Sequence, residues 1–276
     1  MIIKKVDDLV EQIVFGNKEE KEKAYIEIWN LAQERDILPA SINDFYMARG
    51  REELPLDFTV PAMNLRGMVY DMAKSVFKVA VAKKVGALIL EIARSEIGYT
   101  DQSPLEYAGV LMAAAIKEGF HGPLFIEGDH FQVKQGDKQG IAKEGEVEKI
   151  KKLIKEAIKA GFYNIDLDIS TLVDYSKKTV FEQQRNNFEI AAQLTEYIHS
   201  LEPKGITISL GGEIGHIGGK NSNEEELRVY MKGYNKVLKK GLIGLSKMAI
   251  QTGTHHGGVP LADGALAKIN VDFNCL

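Results

Sequence analysis

Residues 123–130 read Pro-Leu-Phe-Ile-Glu-Gly-Asp-His. Pro123–Glu127 is an apolar run of strand length, and Asp129–His130 sits just beyond it. An apolar strand ending in polar chemistry recurs along the chain. Phe58–Asn64 and Ala87–Ala93 (ALILEIA) precede it, and Phe162–Asp168 (FYNIDLD), Ile206–Leu210 (ITISL) and Lys247–Ile250 (KMAI) come after it. Helical patterns fill the gaps. Met68, Val69, Met72, Val76 and Phe77 share one face, and Ser103-Pro104 opens a helix through Ile116 that stops at Gly119. Residues 143–160 form an amphipathic helix ending at Gly161, and two more run roughly over 180–200 and 224–240. Apolar strands alternating with helices predict parallel βαβ units with both sheet faces covered.

An open doubly wound sheet and a closed (β/α)₈ barrel both fit this beat. A doubly wound nucleotide fold carries a glycine fingerprint after its first strand, and neither VPAMNLRG nor ARSEIG matches one. In a barrel the carboxyl ends of the strands converge on one mouth, where such enzymes keep their sites. The expected fold is therefore an α/β, TIM (β/α)₈-type barrel over residues 60–276. Six strands plus the segment AKINVDF leave it short, with C-terminal strand(s) missing. Residues 1–59 read as a helical N-terminal extension: Leu9, Val10, Ile13 and Val14 repeat at helical spacing, as do Tyr25, Ile28, Trp29 and Ala32 after an Asn17 cap.

Composition narrows the function classes. The chain has 276 residues, 45% hydrophobic and 27% charged, which excludes a disordered or disulfide-built protein. A net charge of -4 gives no reason to expect nucleic acid. Cys275 is the single cysteine, so no intramolecular disulfide forms, in keeping with a cytoplasmic protein. The N-terminus lacks a signal-peptide core, and the most apolar region is broken by Lys83, Lys84 and Glu91, so no membrane span is expected.

The candidate chemistry lies at the strand ends. Asp166 and Asp168, two apart, point to one side of their strand; the bland alternative is capping of the next helix. Glu213 follows ITISLGG, and His255-His256 follow IQTGT. A lone histidine is usually structural, but three of the six fall at strand ends beside Asp166 and Glu213. Two histidines and a glutamate are ligand types of a catalytic zinc that keeps a position open for substrate. Gly257 and Gly258 offer backbone amides beside the proposed ligand, which suits a phosphorylated substrate. The loop Gly211–Glu226 holds His216, and its Glu224–Glu226 run begins the next helix. His121 and His199 lie near helix ends and read as surface residues. Schiff-base chemistry is less attractive, because Lys247 starts its strand and no other lysine closes one.

Together these residues resemble the class II (zinc-dependent) fructose-bisphosphate and tagatose-bisphosphate aldolases, over roughly Val60–Asp272. VPAMN resembles the family's opening strand, ending in Asn64, and GDH at 128–130 its aspartate-histidine pair. NIDLD, GGEIGHIGG and GTHHG are similar to its next three motifs in order. The resemblance implies Asp129 as catalytic acid-base and His130, Glu213 and His256 as Zn²⁺ ligands. It further implies Asp166 at a second metal ion, monovalent or divalent. Asn64, Ser95, Gly257, Asn270 and Asp272 would bind substrate. It implies aldol cleavage of a ketose bisphosphate to dihydroxyacetone phosphate and an aldehyde phosphate, by a protein expected to be a homo-oligomer. Two departures stand out: Lys220-Asn221 replace the loop's acids, and a third zinc histidine is missing. They leave an alternative, a non-catalytic barrel subunit or truncated relative that assists a catalytic aldolase chain.

Overall fold

In the computed structural model, residues 2–215, 220–253, 261–266, 271 and 272 are described. The chain divides into two compact units. The first comprises Met1–His130, Leu153–Ile165 and Leu201–Ser209, and the second Phe131–Lys152, Asp166–Ser200 and Leu210–Leu276.

The first unit starts with helices α1 (Ile2–Phe15) and α2 (Lys18–Gln33), strand β1 (Ile37–Pro39) and helix α3 (Asn43–Gly50). Strand β2 (Ala62–Asn64), helix α4 (Val69–Lys83), strand β3 (Ile89–Ala93), helices α5 (Arg94–Thr100) and α6 (Pro104–Glu118) and strand β4 (Gly122–Asp129) come next. The caps are those the sequence predicts. Asn17 Oδ1 accepts the Glu19 and Glu20 amides while Glu20 accepts the Asn17 N–H, a capping box that fixes the start of α2. Ser103 caps α6, Pro104 fills its first turn, and Gly119 ends it at φ +68°. Helix α6 buries most of its length and packs against α1, α2 and α4. Gly109 makes room for α1, since a Cβ there would lie 2.2 Å from Ile13 Cδ1.

Helix α7 (Glu146–Lys159) and strand β5 (Asn164–Leu167) run across the division between the units. The second unit adds a 3₁₀ turn (Ser170–Leu172), helix α8 (Val180–His199), strand β6 (Ser209–Glu213, starting at the division), helix α9 (Glu224–Val237) and strand β7 (Lys247–Ala249). Its core is aromatic: Phe188 meets Tyr230 edge-on at 6.4 Å, Thr195 Oγ1 shares a hydrogen bond with Tyr234, and the exposed Phe181 covers Phe188 at 5.3 Å.

The expected TIM (β/α)₈-type barrel, already short of C-terminal strand(s) in the sequence reading, is not formed, although the α/β class is. The strands pair in parallel in the order β2-β3-β4-β5-β6-β7, and no ladder joins β2 to β7 among the described residues, so the sheet is open. Two segments also differ from the sequence reading. One strand, β1, comes from the segment expected to be helical and pairs with the start of β4 (Ile37↔Gly122 to Pro39↔Leu124) instead of extending a ring. The expected strand AKINVDF lies mostly outside the described residues, and Val271 and Asp272 are not in a strand. Asp272 instead donates its N–H to Thr252 O at 2.8 Å. No helix among the described residues is long and apolar enough to cross a membrane.

Asn164 secures the β1 insertion. Its side chain is fully buried, accepts the Ile42 N–H (2.9 Å) and donates to Ala40 O and Ile126 O (both 3.0 Å). Ala40 O and Ile42 N–H lie beyond the end of β1, where Asn164 takes them while Ala40 N–H still reaches Leu124 O of β4, and a buried backbone group left unpaired is costly. Asn164→Leu is expected to destabilise the protein by about 1–3 kcal/mol for each group left unpaired, read as a lower urea midpoint at unchanged slope.

Candidate functional site

In the first unit, the register Asn64↔Glu91, Glu91↔Glu127 and Ala93↔Asp129 sets the carboxyl ends of β2, β3 and β4 side by side. Asn64 Nδ2 donates to Asp129 Oδ2 (2.9 Å) and to Glu96 Oε2 (3.1 Å). The other Asp129 oxygen meets His130 Nδ1 at 2.6 Å. Asp129 is thus held on both oxygens, and the engaged Nδ1 assigns any metal-binding role of His130 to Nε2. Metal-bound histidines commonly use this pattern, with a carboxylate orienting the ring from the other side. His130 also sits at φ +42°, in the left-handed region that residues other than glycine rarely adopt. Such a conformation costs on the order of 1–3 kcal/mol and persists where the surroundings impose it.

Glu96, which sequence reasoning missed, is the buried centre of this group. It accepts the Ala93 N–H at 2.9 Å, receives Asn64 and pairs with Arg66. The signal was present in ARSEIG, where a glutamate at the third position of a helix reaches back to the residue before it. Ser95, the expected substrate contact, is exposed at the second residue of α5.

In the second unit, the chain leaving β4 runs beside β5: Phe131 N–H donates to Asp166 O (2.9 Å) and Val133 N–H to Asp168 O (3.0 Å). Asp168 is 1% exposed and Glu213 5%, yet their carboxylate oxygens lie within 4.8 Å of one another. Neutral donors meet Asp168: Ser170 N (3.0 Å) and Ser170 Oγ (2.6 Å) on Oδ1, and Gln132 Nε2 on Oδ2. Asp168 thus makes a local turn with Ser170 through one oxygen, while the N-cap position of the 3₁₀ turn is Ile169, which makes no side-chain cap bond. Asn187 Nδ2 fixes the Glu213 carbonyl at 2.8 Å.

Strand β6 reaches three residues further than the run ITISL predicts, because Gly211 and Gly212 belong to it. A Cβ on Gly211 would stand 2.4 Å from Asp166 Oδ1 and 2.9 Å from Lys247 Cε. Lys247 begins its strand, as the sequence indicates, but the pair Gly211↔Lys247 sets it level with Asp166 and not at a remote end. A Cβ on Gly212 would stand 3.1 Å from the Tyr230 hydroxyl. That hydroxyl is buried with no hydrogen-bond partner among the described residues. Burial first, then Tyr234 and the carboxylates of Asp166, Glu213 and Asp168, push the Tyr230 phenol well above its ordinary range, so it stays protonated.

His256, Gly257 and Asn270, with His255 and His216, lie outside the described residues. Asp272 is exposed. Lys220, standing where an acid was expected, pairs with Glu226 at 2.7 Å. Glu224 does start α9, behind an Asn223 cap. His121 is exposed and bonded to Arg35 O, and His199 Nε2 is bonded to Ile243 O.

No protein-family model and no characterised protein matches the chain. Among solved structures it is similar to the crystal structure of a probable tagatose 6 phosphate kinase from Sinorhizobium meliloti 1021, at 14% identity and a TM-score of 0.50. The match covers 73% of this chain and 51% of that one, so the chain spans about half the length of that structure. At this identity the likeness is one of fold.

The close approach at Gly211 is testable. Gly211→Ala is expected to cost about 1–3 kcal/mol by overpacking, whereas Ser95→Ala should stay within roughly 0.5 kcal/mol of the parent. Urea midpoints of the two variants check this.

Proposed function

We propose that the chain is a divalent-metal-dependent lyase that cleaves a carbon–carbon bond of a ketose bisphosphate. The observation that carries this reading is the buried Asp168–Glu213 pair. Two desolvated carboxylates this close repel one another unless a proton or a cation lies with them. The donor set fits a cation: neutral groups meet Asp168, and the buried Tyr230 hydroxyl is a polar atom that a hydrated ion would satisfy. Within the second unit, Glu213 and Asp168 would hold the ion; the aldolase resemblance implies His130 and His256 as further ligands. Asp166, with the Lys247 side chain beside it, is the weaker ligand. Carboxylate and imidazole donors suit Zn²⁺, and such an ion supplies Lewis-acid polarisation of a carbonyl.

Asp129 would do the proton work. Asn64 and His130 fix its carboxylate, so the oxygens that meet a substrate hydroxyl are oriented in advance. It would take the proton from the hydroxyl at the cleaved bond and return it in the condensation direction. A sugar-phosphate substrate accords with the name of the similar structure, a probable tagatose 6 phosphate kinase. The open ends of the sheet favour a second reading, a non-catalytic subunit completed by a partner chain. Metal content separates the two, since such a subunit need bind none.

EDTA should abolish cleavage of fructose or tagatose bisphosphate, and Zn²⁺ should restore it. Borohydride added with substrate should leave activity intact. Inactivation by borohydride with EDTA harmless would transfer the chemistry to a lysine, with Lys247 the first to examine. Asp129→Ala is expected to lower the rate by a factor on the order of 10² to 10⁴, the range for a lost acid-base group, while metal content stays unchanged. Equal loss of metal would assign Asp129 to the metal instead.

A further inference from the structure

The loop after β4 and the segment after β5 wall an open surface cavity of about 530 Å³ within the second unit, and Lys134, Gln135, Asp137 and Gln139 of its lining are exposed. Pockets of a few hundred Å³ hold molecules of sugar size. One wall is the loop 134–143, folded back on itself: Gly136 N–H donates to Ile141 O (2.8 Å), Lys143 N–H donates to Lys134 O (2.9 Å), and Gln135 and Ala142 form an antiparallel bridge. At the tip of this loop Gly140 takes φ +73°, and a Cβ there would stand 2.9 Å from Asp174 Cβ. Its N–H is held by Gln135 Oε1 (2.9 Å) and its carbonyl by Asn186 Nδ2 (2.5 Å). The facing wall runs from the 3₁₀ turn to Tyr175, and Thr171 Oγ1 ties the two walls together by donating to Val133 O. The walls are therefore fixed in advance by backbone and side-chain hydrogen bonds, which lowers the ordering cost of taking a ligand.

Its lining is mostly neutral and rich in hydrogen-bonding groups. Gln132, Gln135 and Gln139 contribute primary amides, Thr171 a hydroxyl and Tyr175 an aromatic ring. Gln135 uses its oxygen on Gly140, so its NH₂ is what it offers to a ligand, while Thr171 uses its proton on Val133 and offers lone pairs. The two charged residues of the lining, Lys134 and Asp137, are opposite in sign, a poor match for a bare anion. Alternating donors and acceptors beside a ring match the hydroxyls and carbon skeleton of a polyol.

We infer that this cavity binds the hydroxyl chain of a sugar, and that Gln132, which lines the cavity and donates to Asp168 Oδ2, links its occupancy to the buried carboxylate pair. Binding here requires no metal, so the inference stands apart from the proposed lyase reaction.

Isothermal titration of the full chain in EDTA with D-fructose, fructose 6-phosphate and inorganic phosphate tests it. Both sugars should bind saturably and phosphate alone should not. Tyr175→Ala and Gln139→Leu should each weaken sugar binding by about tenfold or more, the usual effect of unmatched polar or lost ring contacts. Gln139 is exposed, so its variant should melt like the parent. Where cleavage is active, a KM for ketose bisphosphate that rises with the binding loss identifies the bound chain as the substrate's own. An unchanged KM identifies a separate sugar ligand; both results support the site. Sugar binding without any cleavage would sink the lyase and keep the cavity. The inference is overturned if neither sugar gives saturable heat, if phosphate binds as well as fructose 6-phosphate, or if both variants bind sugar like the parent.

Discussion

Asp168 and Glu213 bring carboxylate oxygens within 4.8 Å of one another while almost none of either residue reaches water. Their mutual repulsion is strongest where the dielectric is low, and the structure around them is arranged to contain it. Ser170 and Gln132 donate to Asp168, Asn187 anchors the Glu213 backbone, and the missing side chains of Gly211 and Gly212 leave room for Asp166, Lys247 and Tyr230. Parallel pairing creates the problem in the first place. It sets the carboxyl ends of β5 and β6 on one edge although Asp168 and Glu213 are far apart in sequence.

The same logic shapes the end of β4. Asp129 and His130 are neighbours in sequence, and adjacent residues of a strand normally face opposite ways. The left-handed turn at His130 breaks that alternation and lets its ring nitrogen meet the preceding carboxylate at 2.6 Å. Asn64 then holds the second Asp129 oxygen and, with Arg66, Glu96. A strained residue whose ring and neighbour are both fixed is pre-oriented, which would suit the roles proposed for Asp129 and His130.

Local signals were legible in the sequence. Asn17, Ser103-Pro104, Gly119 and Glu224 mark helix ends where the structure has them, because a cap is decided within a few residues. The alternation of strand and helix, and the polar residue after each strand, were legible for the same reason. Register and closure were not. That β1 would pair with β4, that β6 would continue through Gly211 and Gly212, and that β2 and β7 would share no ladder are settled by contacts between distant segments. Lys247 starts its strand as the sequence indicates, but that place said nothing of the Gly211 partner that sets it beside Asp166. Gln132 was missed because a glutamine two residues beyond a histidine carries no local mark.

The central claim, that the buried carboxylates exist to hold a cation, is tested most directly by metal binding itself. Equilibrium dialysis of the full chain against Zn²⁺ should find about one tightly bound ion, with affinity reduced on the order of 100-fold in Glu213→Gln and in Asp168→Asn. Glu213→Gln keeps the side-chain shape and removes one negative charge, so it should also fold at least as stably as the parent in EDTA, whereas Asp168→Asn turns an NH₂ group towards Ser170 or Gln132 and should be less stable. A parent chain that binds no zinc, or variants that bind it as tightly as the parent, would contradict the account.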